Sequence, residues 1–310
     1  MMLRLRPRPC LLIVLLVAAL GAQAGEAAGT RASWSERAAA LIVAEHAATS
    51  ADSADRVRDS ALAAAYALFL GTDWRAIALV QLSDAELVVL FNATDRAGSY
   101  SNDLVYADHL ADVATELFRR KAHTDKQLQT VADSYAAARA FGAAQAWQAR
   151  VNTASPPMSV NTFIDAHRVL ALPTVLRFSP DAATVTREDL DLRHGPHIVA
   201  VIHPLCHFSA NAMAMILKDP ALRDAVVAHT SWIAPQRRES DFAMFRDWNK
   251  AHADTPMVLA YASTEWAFVS NWETPLFYFF ENGELRATVT GWPSEGRLPQ
   301  LRAALAAIHL

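Results

Sequence analysis

The chain is almost without cysteine: its 310 residues include only two, Cys10 and Cys206. Cys10 falls within an amino-terminal stretch that has the pattern of a signal peptide, so Cys206 is expected to be the one cysteine of the mature chain. A single thiol excludes an intramolecular disulfide framework. A free thiol in an oxidising compartment is a liability unless it is buried or used, so the neighbours of Cys206 bear on function.

An excess of positive charge is also missing. The 28 Lys and Arg residues are outnumbered by 32 Asp and Glu, which gives a formal net charge of -4, and no long basic stripe follows the amino terminus. We therefore expect no nucleic-acid partner and no attraction to an anionic membrane. Glycine-rich phosphate loops and serine-elbow motifs are absent as well, and we expect no cofactor.

The amino terminus predicts a cleavable signal peptide of residues 1–24. Arg4, Arg6 and Arg8 precede an apolar run from Leu11 to Leu20, and Ala22-Gln23-Ala24 supplies small residues for cleavage. The apolar run is about half the roughly 20 residues of a spanning helix, so we expect no stable membrane span after cleavage; an uncleaved anchor is the alternative. A composition rich in Ala and Arg suggests a bacterium, and hence a periplasmic or secreted protein.

Residues 33–151 predict an all-α helical domain, because apolar residues recur at spacings of three and four. Helices are expected over Ser35–His46, Ala54–Leu70, Asp84–Ala93, Asn102–Arg120 and Asp125–Arg139, with a shorter helix through Ala149. Ser33, Ser83, Ser101 and Thr124 are expected as N-caps, and Gly71, Gly98 and Gly142 as turn residues. The last two helices faintly resemble a tetratricopeptide pair, but no second copy follows at a fixed period.

A polar, proline-bearing stretch from Asn152 to Pro157 predicts a linker, which we place at 152–169. In residues 170–310 short β-rich runs alternate with helical ones, which indicates an α/β sheet. The expected strands are Val175–Phe178, His197–His203, Ser231–Ala234, Met257–Ala262, Leu276–Glu281 and Leu285–Thr290.

The run from His197 to Ile216 predicts a buried strand that passes directly into a helix, with Cys206 at the helix amino end. A cysteine at that place lies near the positive end of the helix dipole and near unsatisfied backbone N–H groups, and both favour the thiolate. His207 would add to this effect when protonated. Position and neighbours therefore indicate a reactive sulfur.

This strand, cysteine and helix resemble the thioredoxin superfamily, whose redox motif is C-x-x-C; here it is Cys206-His207-Phe208-Ser209. A second resemblance covers Glu273–Leu305: Thr-Pro, a strand, an Asn-Gly hairpin, a second strand, a glycine and an amphipathic helix. The resemblance implies a thioredoxin fold over 170–310, in which Pro275 is cis and lies against the cysteine. An extra strand and helix, Ser231–Ala234 and Asp241–His252, together with the Val175–Leu192 segment before the first central strand, resemble TlpA-like and peroxiredoxin-like proteins more than minimal thioredoxin.

Departures from the family pattern limit the chemistry that the resemblance implies. Ser209 replaces the resolving cysteine, and Ala200 stands where a buried acid would serve that cysteine. Leu205 replaces the tryptophan that precedes the motif. His203 stands where a peroxiredoxin has threonine, so a peroxidase is not expected.

The residues leave two functions open. In the first, Cys206 is the nucleophile of monothiol exchange, and its partner is a thiol- or disulfide-bearing protein or a small thiol. Ser209 then donates a hydrogen bond to the sulfur, and His207 favours the thiolate. Pro275 shapes the edge at which the partner binds. In the second, Cys206 is a relic in a non-catalytic binding or scaffold protein.

Two further clusters have alternative interpretations. A metal site of His203, Cys206 and His207 is conceivable, although an exposed strand end and helix cap is the more common arrangement, and we expect no metal. The aromatic residues Trp266, Phe268 and Trp272 precede Pro275 and form either a peptide-docking surface or, as we favour, core packing.

Overall fold

The computed structural model describes residues 32–51, 54–152, 160–181, 183–236 and 242–310. The chain divides into two compact units, Met1–Ser155 and Pro156–Leu310. The predicted signal peptide and residues 153–159 of the predicted linker lie outside the described residues. Within the described ranges, no helix is long and apolar enough to cross a membrane.

The described part of the first unit is built from α-helices. They are α1 (Trp34–Ser50), α2 (Asp55–Leu70), α3 (Asp84–Ser101), α4 (Leu104–Arg119), α5 (Asp125–Ala137) and α6 (Phe141–Gln148), with short 3-10 turns at Trp74–Ala76 and Leu79–Gln81. Helices that follow one another pack side by side, α1 on α2, α3 on α4 and α5 on α6, and α1 also packs on α3. Leucines fill this core, among them the fully buried Leu62, Leu90, Leu110, Leu117 and Leu128.

Three of the four predicted N-caps are confirmed. The side chains of Ser33, Ser83 and Thr124 each accept a hydrogen bond from the backbone N–H three residues later, where a Glu or Gln side chain bonds back. These capping boxes satisfy two donors that a helix start would otherwise leave open. The fourth prediction is wrong, because Ser101 is the last residue of α3 and Asp103 caps α4.

Helix α3 is also longer than predicted, because Gly98 does not end it. Gly98 is buried inside the helix, on a face that continues from Leu90 through Thr94, and helix α6 likewise contains Gly142. Burial of a continuous face outweighs the roughly 1 kcal/mol that glycine costs within a helix. Of the three predicted turn glycines, Gly71 does end a helix, with a left-handed φ of 62°.

The second unit has a mixed sheet with helices. Its strands are β1 (Thr162–Asp165), β2 (Thr174–Phe178), β3 (Thr184–Asp189), β4 (Pro196–Val201), β5 (Thr230–Ala234), β6 (Met257–Ala260), β7 (Leu276–Glu281) and β8 (Glu284–Thr290). They form one sheet in the order β1-β3-β2-β6-β5-β4-β7-β8. Its helices are α7 (His207–Lys218), α8 (Pro220–His229), α9 (Phe242–Ala251) and α10 (Leu298–Ala306).

The six predicted strands are all present, but two more were missed. β1 falls inside the predicted linker, and β3 is the next strand after β2 along the chain. β1 is four residues long and mostly exposed, and in β3 only Val185 is fully buried, so neither carries the apolar run that marks a strand. β4 ends at Val201, two residues before the predicted end.

The β7–β8 hairpin has the predicted two-residue turn. Asn282 and Gly283 have φ values of 51° and 82°, which a tight hairpin of this hand requires. The Asn282 side-chain oxygen accepts the Gly195 N–H at 2.9 Å, which ties the turn to the start of β4. The hairpin therefore lies directly beside the strand that leads to Cys206.

A half-buried imidazole lies in the helical unit. His109 stacks on Trp74 with ring centroids 3.8 Å apart, and its Nδ1 lies 3.1 Å from the Tyr66 hydroxyl. Burial lowers the pKa of His109, and the neighbouring aspartates, Asp112 first, oppose the shift only in part. The folded unit therefore binds this proton less readily than the unfolded chain does.

We expect acid to destabilise the helical unit through His109. Because the folded pKa lies below the unfolded value of about 6.5, its stabilising contribution is complete above that value and is lost as the pH falls through the folded pKa. The drop in Tm between pH 7.5 and pH 5, measured by circular dichroism, should be smaller in His109→Phe, which keeps an aromatic ring. An equal drop in both proteins would contradict this assignment.

Candidate functional site

The strand that leads to Cys206 lies inside the sheet and is fully buried from Ile198 onward. β4 pairs with β5 in parallel and with β7 antiparallel, and residues 198–202 have no exposed surface. The chain leaves the sheet after Val201 and enters α7 at His207, with Cys206 as the N-cap residue. The prediction that Cys206 stands at a helix amino end is confirmed.

The sulfur faces the loop before β7. Since Val201 lies opposite Leu276 in the sheet, the Thr274–Pro275 peptide comes next to the start of α7. Cys206 is partly exposed, and its thiol donates a hydrogen bond to the Thr274 carbonyl oxygen, with Sγ and O 3.4 Å apart. The Thr274–Pro275 bond is cis, as predicted, and Pro275 is buried.

The surroundings of the sulfur favour its charged form. Burial alone would raise the pKa of the Cys206 thiol. Hydrogen bonds from the side chains of Thr274 and Ser209 outweigh this effect, and backbone N–H groups of Ser209 and Phe208 add to them. The pKa of Cys206 is therefore lowered, because several donors stabilise the thiolate.

Ser209 lies one helical turn after the cysteine and is almost fully buried, with 1% of its surface exposed. Its oxygen accepts the backbone N–H of His203 at 3.3 Å, which leaves the hydroxyl hydrogen for the sulfur. A hydroxyl cannot form a disulfide, so Ser209 can stabilise the thiolate of Cys206 without resolving it.

His207 is exposed beside the cysteine and packs on Phe208, with ring centroids 3.8 Å apart. No hydrogen bond joins its ring to Cys206 in the part of the chain that the structure describes. Its predicted effect on the thiolate thus stays a prediction that rests on sequence adjacency.

The conceivable metal trio is not assembled. Among the described residues, no three His, Cys, Asp or Glu side chains lie close enough together to hold a metal ion. The Nδ1 of His203 instead accepts the Leu205 N–H at 3.2 Å, and its ring meets Phe245 edge-on. His203 belongs to the turn before the cysteine.

The three aromatic residues before Pro275 take part in core packing, Trp266 within the core and the other two against it. Trp266 is 1% exposed and belongs to a buried cluster on one face of the sheet, with Val201, Leu276 and Tyr278 among its members. Phe268 and Trp272 are partly buried against the same cluster. They hold the loop before Thr274 on the sheet.

Two features of the site were not predicted from the sequence. The first is the Thr274 contact; the position of Thr274 directly before Pro275 was the available signal. The second is the exposed apolar surface of Leu205 (78%) and Phe208 (45%) on either side of Cys206. The available signal was Leu205 itself, since a leucine directly before Cys206 indicates an apolar side chain there.

Comparison of the chain with protein-family models, with curated proteins and with solved structures found no match.

Proposed function

We propose that the second unit is a thioredoxin-like domain of TlpA-like type, in which Cys206 is the nucleophile of monothiol thiol–disulfide exchange. The observation that carries the proposal is the partly exposed Cys206 sulfur at the α7 start, beside Thr274 and among donors that favour the thiolate. The two separate sequence resemblances meet here, since β4 and β7 are hydrogen-bonded neighbours. The order of β4, α7, β7, β8 and α10 supports the same fold.

The exchange is a substitution at sulfur. The Cys206 thiolate attacks one sulfur of a partner disulfide; a new S–S bond forms, the old one breaks, and the partner's other sulfur leaves as a thiolate. Ser209 cannot attack the resulting mixed disulfide. A second thiol from outside the domain must do so, which returns Cys206 to its thiolate and carries the disulfide away.

The other site residues have supporting roles in this proposal. Ser209 donates to the sulfur, His207 adds positive charge when protonated, and Pro275 with Thr274 forms the edge against which a partner lies. The exposed side chains of Leu205 and Phe208 suit an apolar surface on that partner. The partner is a thiol- or disulfide-bearing protein or a small thiol.

The proposed compartment follows from the sequence. A signal peptide ending at Ala24 would deliver the chain to the periplasm or the medium, where protein disulfides form and persist. Such a compartment supplies the disulfides that Cys206 would attack, while the thiol that releases Cys206 would come from the substrate, glutathione or a partner.

Incubation of the mature protein with oxidised glutathione, followed by mass spectrometry, tests the proposal. We expect one glutathione per chain, bound at Cys206, faster than for an ordinary exposed thiol at neutral pH. The Cys206→Ser variant is the matched control and should acquire none. Iodoacetamide labelling across a pH series should give an apparent pKa below about 8.5.

Slow labelling at every pH, with no mixed disulfide, would contradict the proposal. Cys206 would then be a buried relic, and the non-catalytic binding protein would be the better description. The partial exposure of Cys206 and its lowered pKa argue against that outcome.

A further inference from the structure

The turn between β4 and α7 is organised around one residue, His203. Its carbonyl oxygen accepts the Cys206 N–H at 3.0 Å, and its own N–H donates to the Ser209 oxygen at 3.3 Å. Its ring nitrogen Nδ1 accepts the Leu205 N–H at 3.2 Å. One residue thus makes hydrogen bonds to three of the next six residues, two of which carry the candidate chemistry.

We propose that His203 is a positioning residue, whose side-chain Nδ1 holds the turn in the conformation that aims helix α7 donors at the Cys206 sulfur. The inference rests on the proposed function only in taking Cys206 as the reacting thiol. In this role His203 acts through the Leu205 N–H and takes no part in the exchange itself.

The contacts show why the side chain matters as well as the backbone. Two of the three hydrogen bonds use main-chain atoms and would be available to any residue at this place. The third needs a side-chain acceptor within reach of the N–H two residues later, which is the geometry that Asn and Asp supply in an Asx turn. An imidazole with an unprotonated Nδ1 supplies the same acceptor.

Loss of the His203 Nδ1 acceptor should change the surroundings of the Cys206 sulfur. The bond to the Leu205 N–H holds the Pro204–Leu205 peptide, one residue before Cys206. The Cys206 carbonyl oxygen in turn accepts the Ala210 N–H at 3.0 Å. A turn that relaxes here would tilt the N–H groups of the first helical turn away from the thiolate. The pKa of Cys206 depends on those donors.

Two variants separate the hydrogen bond from the packing of the ring. His203→Phe keeps an aromatic ring for the edge contact with Phe245 and removes the acceptor; His203→Asn removes the ring and keeps an acceptor. In the folded mature protein, we would measure the ultraviolet absorbance of the thiolate during a pH titration and the rate of iodoacetamide labelling. Circular dichroism would confirm that each variant is folded.

We expect His203→Phe to label about fivefold more slowly than wild type at pH 7, as loss of one hydrogen bond implies, and to have a higher Cys206 pKa. His203→Asn should stay within about twofold of wild type, since it retains the bond. A wild-type rate in His203→Phe would overturn the inference. Equal slowing in both variants would also overturn it, because the acceptor that His203→Asn retains would then not preserve the rate.

The titration does not depend on disulfide exchange. A wild-type protein that keeps a low thiol pKa but forms no mixed disulfide with oxidised glutathione would count against the proposed function alone. The comparison of the two His203 variants would still decide whether this residue positions the sulfur.

Discussion

Replacing Ser209 by cysteine is expected to convert the mixed disulfide of Cys206 into an intramolecular disulfide. Ser209 lies one turn along α7 from Cys206 and its hydroxyl favours the thiolate, so a thiol there would start near the Cys206 sulfur. Residues three apart at a helix start have a Cα separation that a disulfide can bridge. Attack by the new thiol would expel the bound glutathione as a thiolate and close the ring.

The measurement is the mass and free-thiol content after brief treatment with oxidised glutathione. Wild type should retain one glutathione, whereas Ser209→Cys should carry none, lose two thiol hydrogens and react with no alkylating reagent. Ser209→Ala is the matched control; it should retain glutathione like wild type but form the mixed disulfide more slowly, because one thiolate donor is gone. Stable glutathione on Ser209→Cys would show that the two side chains cannot meet.

This expectation separates the two functions that the sequence left open. A relic thiol, held away from partners, would form no mixed disulfide for the introduced thiol of Ser209→Cys to resolve. If Cys206 does form a mixed disulfide, the single substitution Ser209→Cys supplies the second thiol that resolves it. Ala200, which is fully buried in β4, carries no acid that could transfer a proton to or from the introduced thiol, and this would limit the rate of resolution without preventing it.

The candidate site could be predicted well from the sequence because its signals are local. A buried apolar strand followed at once by a helix fixes Cys206 at the helix start, and an Asn-Gly pair fixes the hairpin after Pro275. What could not be predicted is which atoms meet across 68 residues of chain, such as Sγ and the Thr274 carbonyl. That depends on the β4–β7 register.

The two strands that the sequence did not predict were missed for a different reason. β1 and β3 lie toward one side of the sheet and carry charged and polar side chains, so alternation of apolar residues is weak there. Arg187, in β3, illustrates the consequence. Its guanidinium bonds Asp165 and Glu265 and lies 3.9 Å from the Tyr261 ring centre, contacts that hold these strands where apolar packing does not.

Removal of Glu265 is therefore expected to destabilise the second unit markedly. One carboxylate oxygen accepts both the N–H and the hydroxyl of Thr174, at 2.8 and 2.6 Å, and the other accepts from Arg187 at 2.9 Å. Thr174 is fully buried, so Glu265→Ala leaves its N–H without a partner in the dry interior. We expect a loss of about 2–3 kcal/mol in the free energy of unfolding.

Urea denaturation followed by tryptophan fluorescence measures this loss, since Trp266 follows Glu265 directly and is buried in the core. Glu188→Ala is the matched control: Glu188 pairs with Arg177, but that pair is exposed, and its loss should cost under about 1 kcal/mol. Equal destabilisation by the two changes would refute the special role of Glu265. Because the loop after Trp266 leads to Thr274, Glu265→Ala should also accelerate alkylation of Cys206, while Glu188→Ala should leave the rate unchanged.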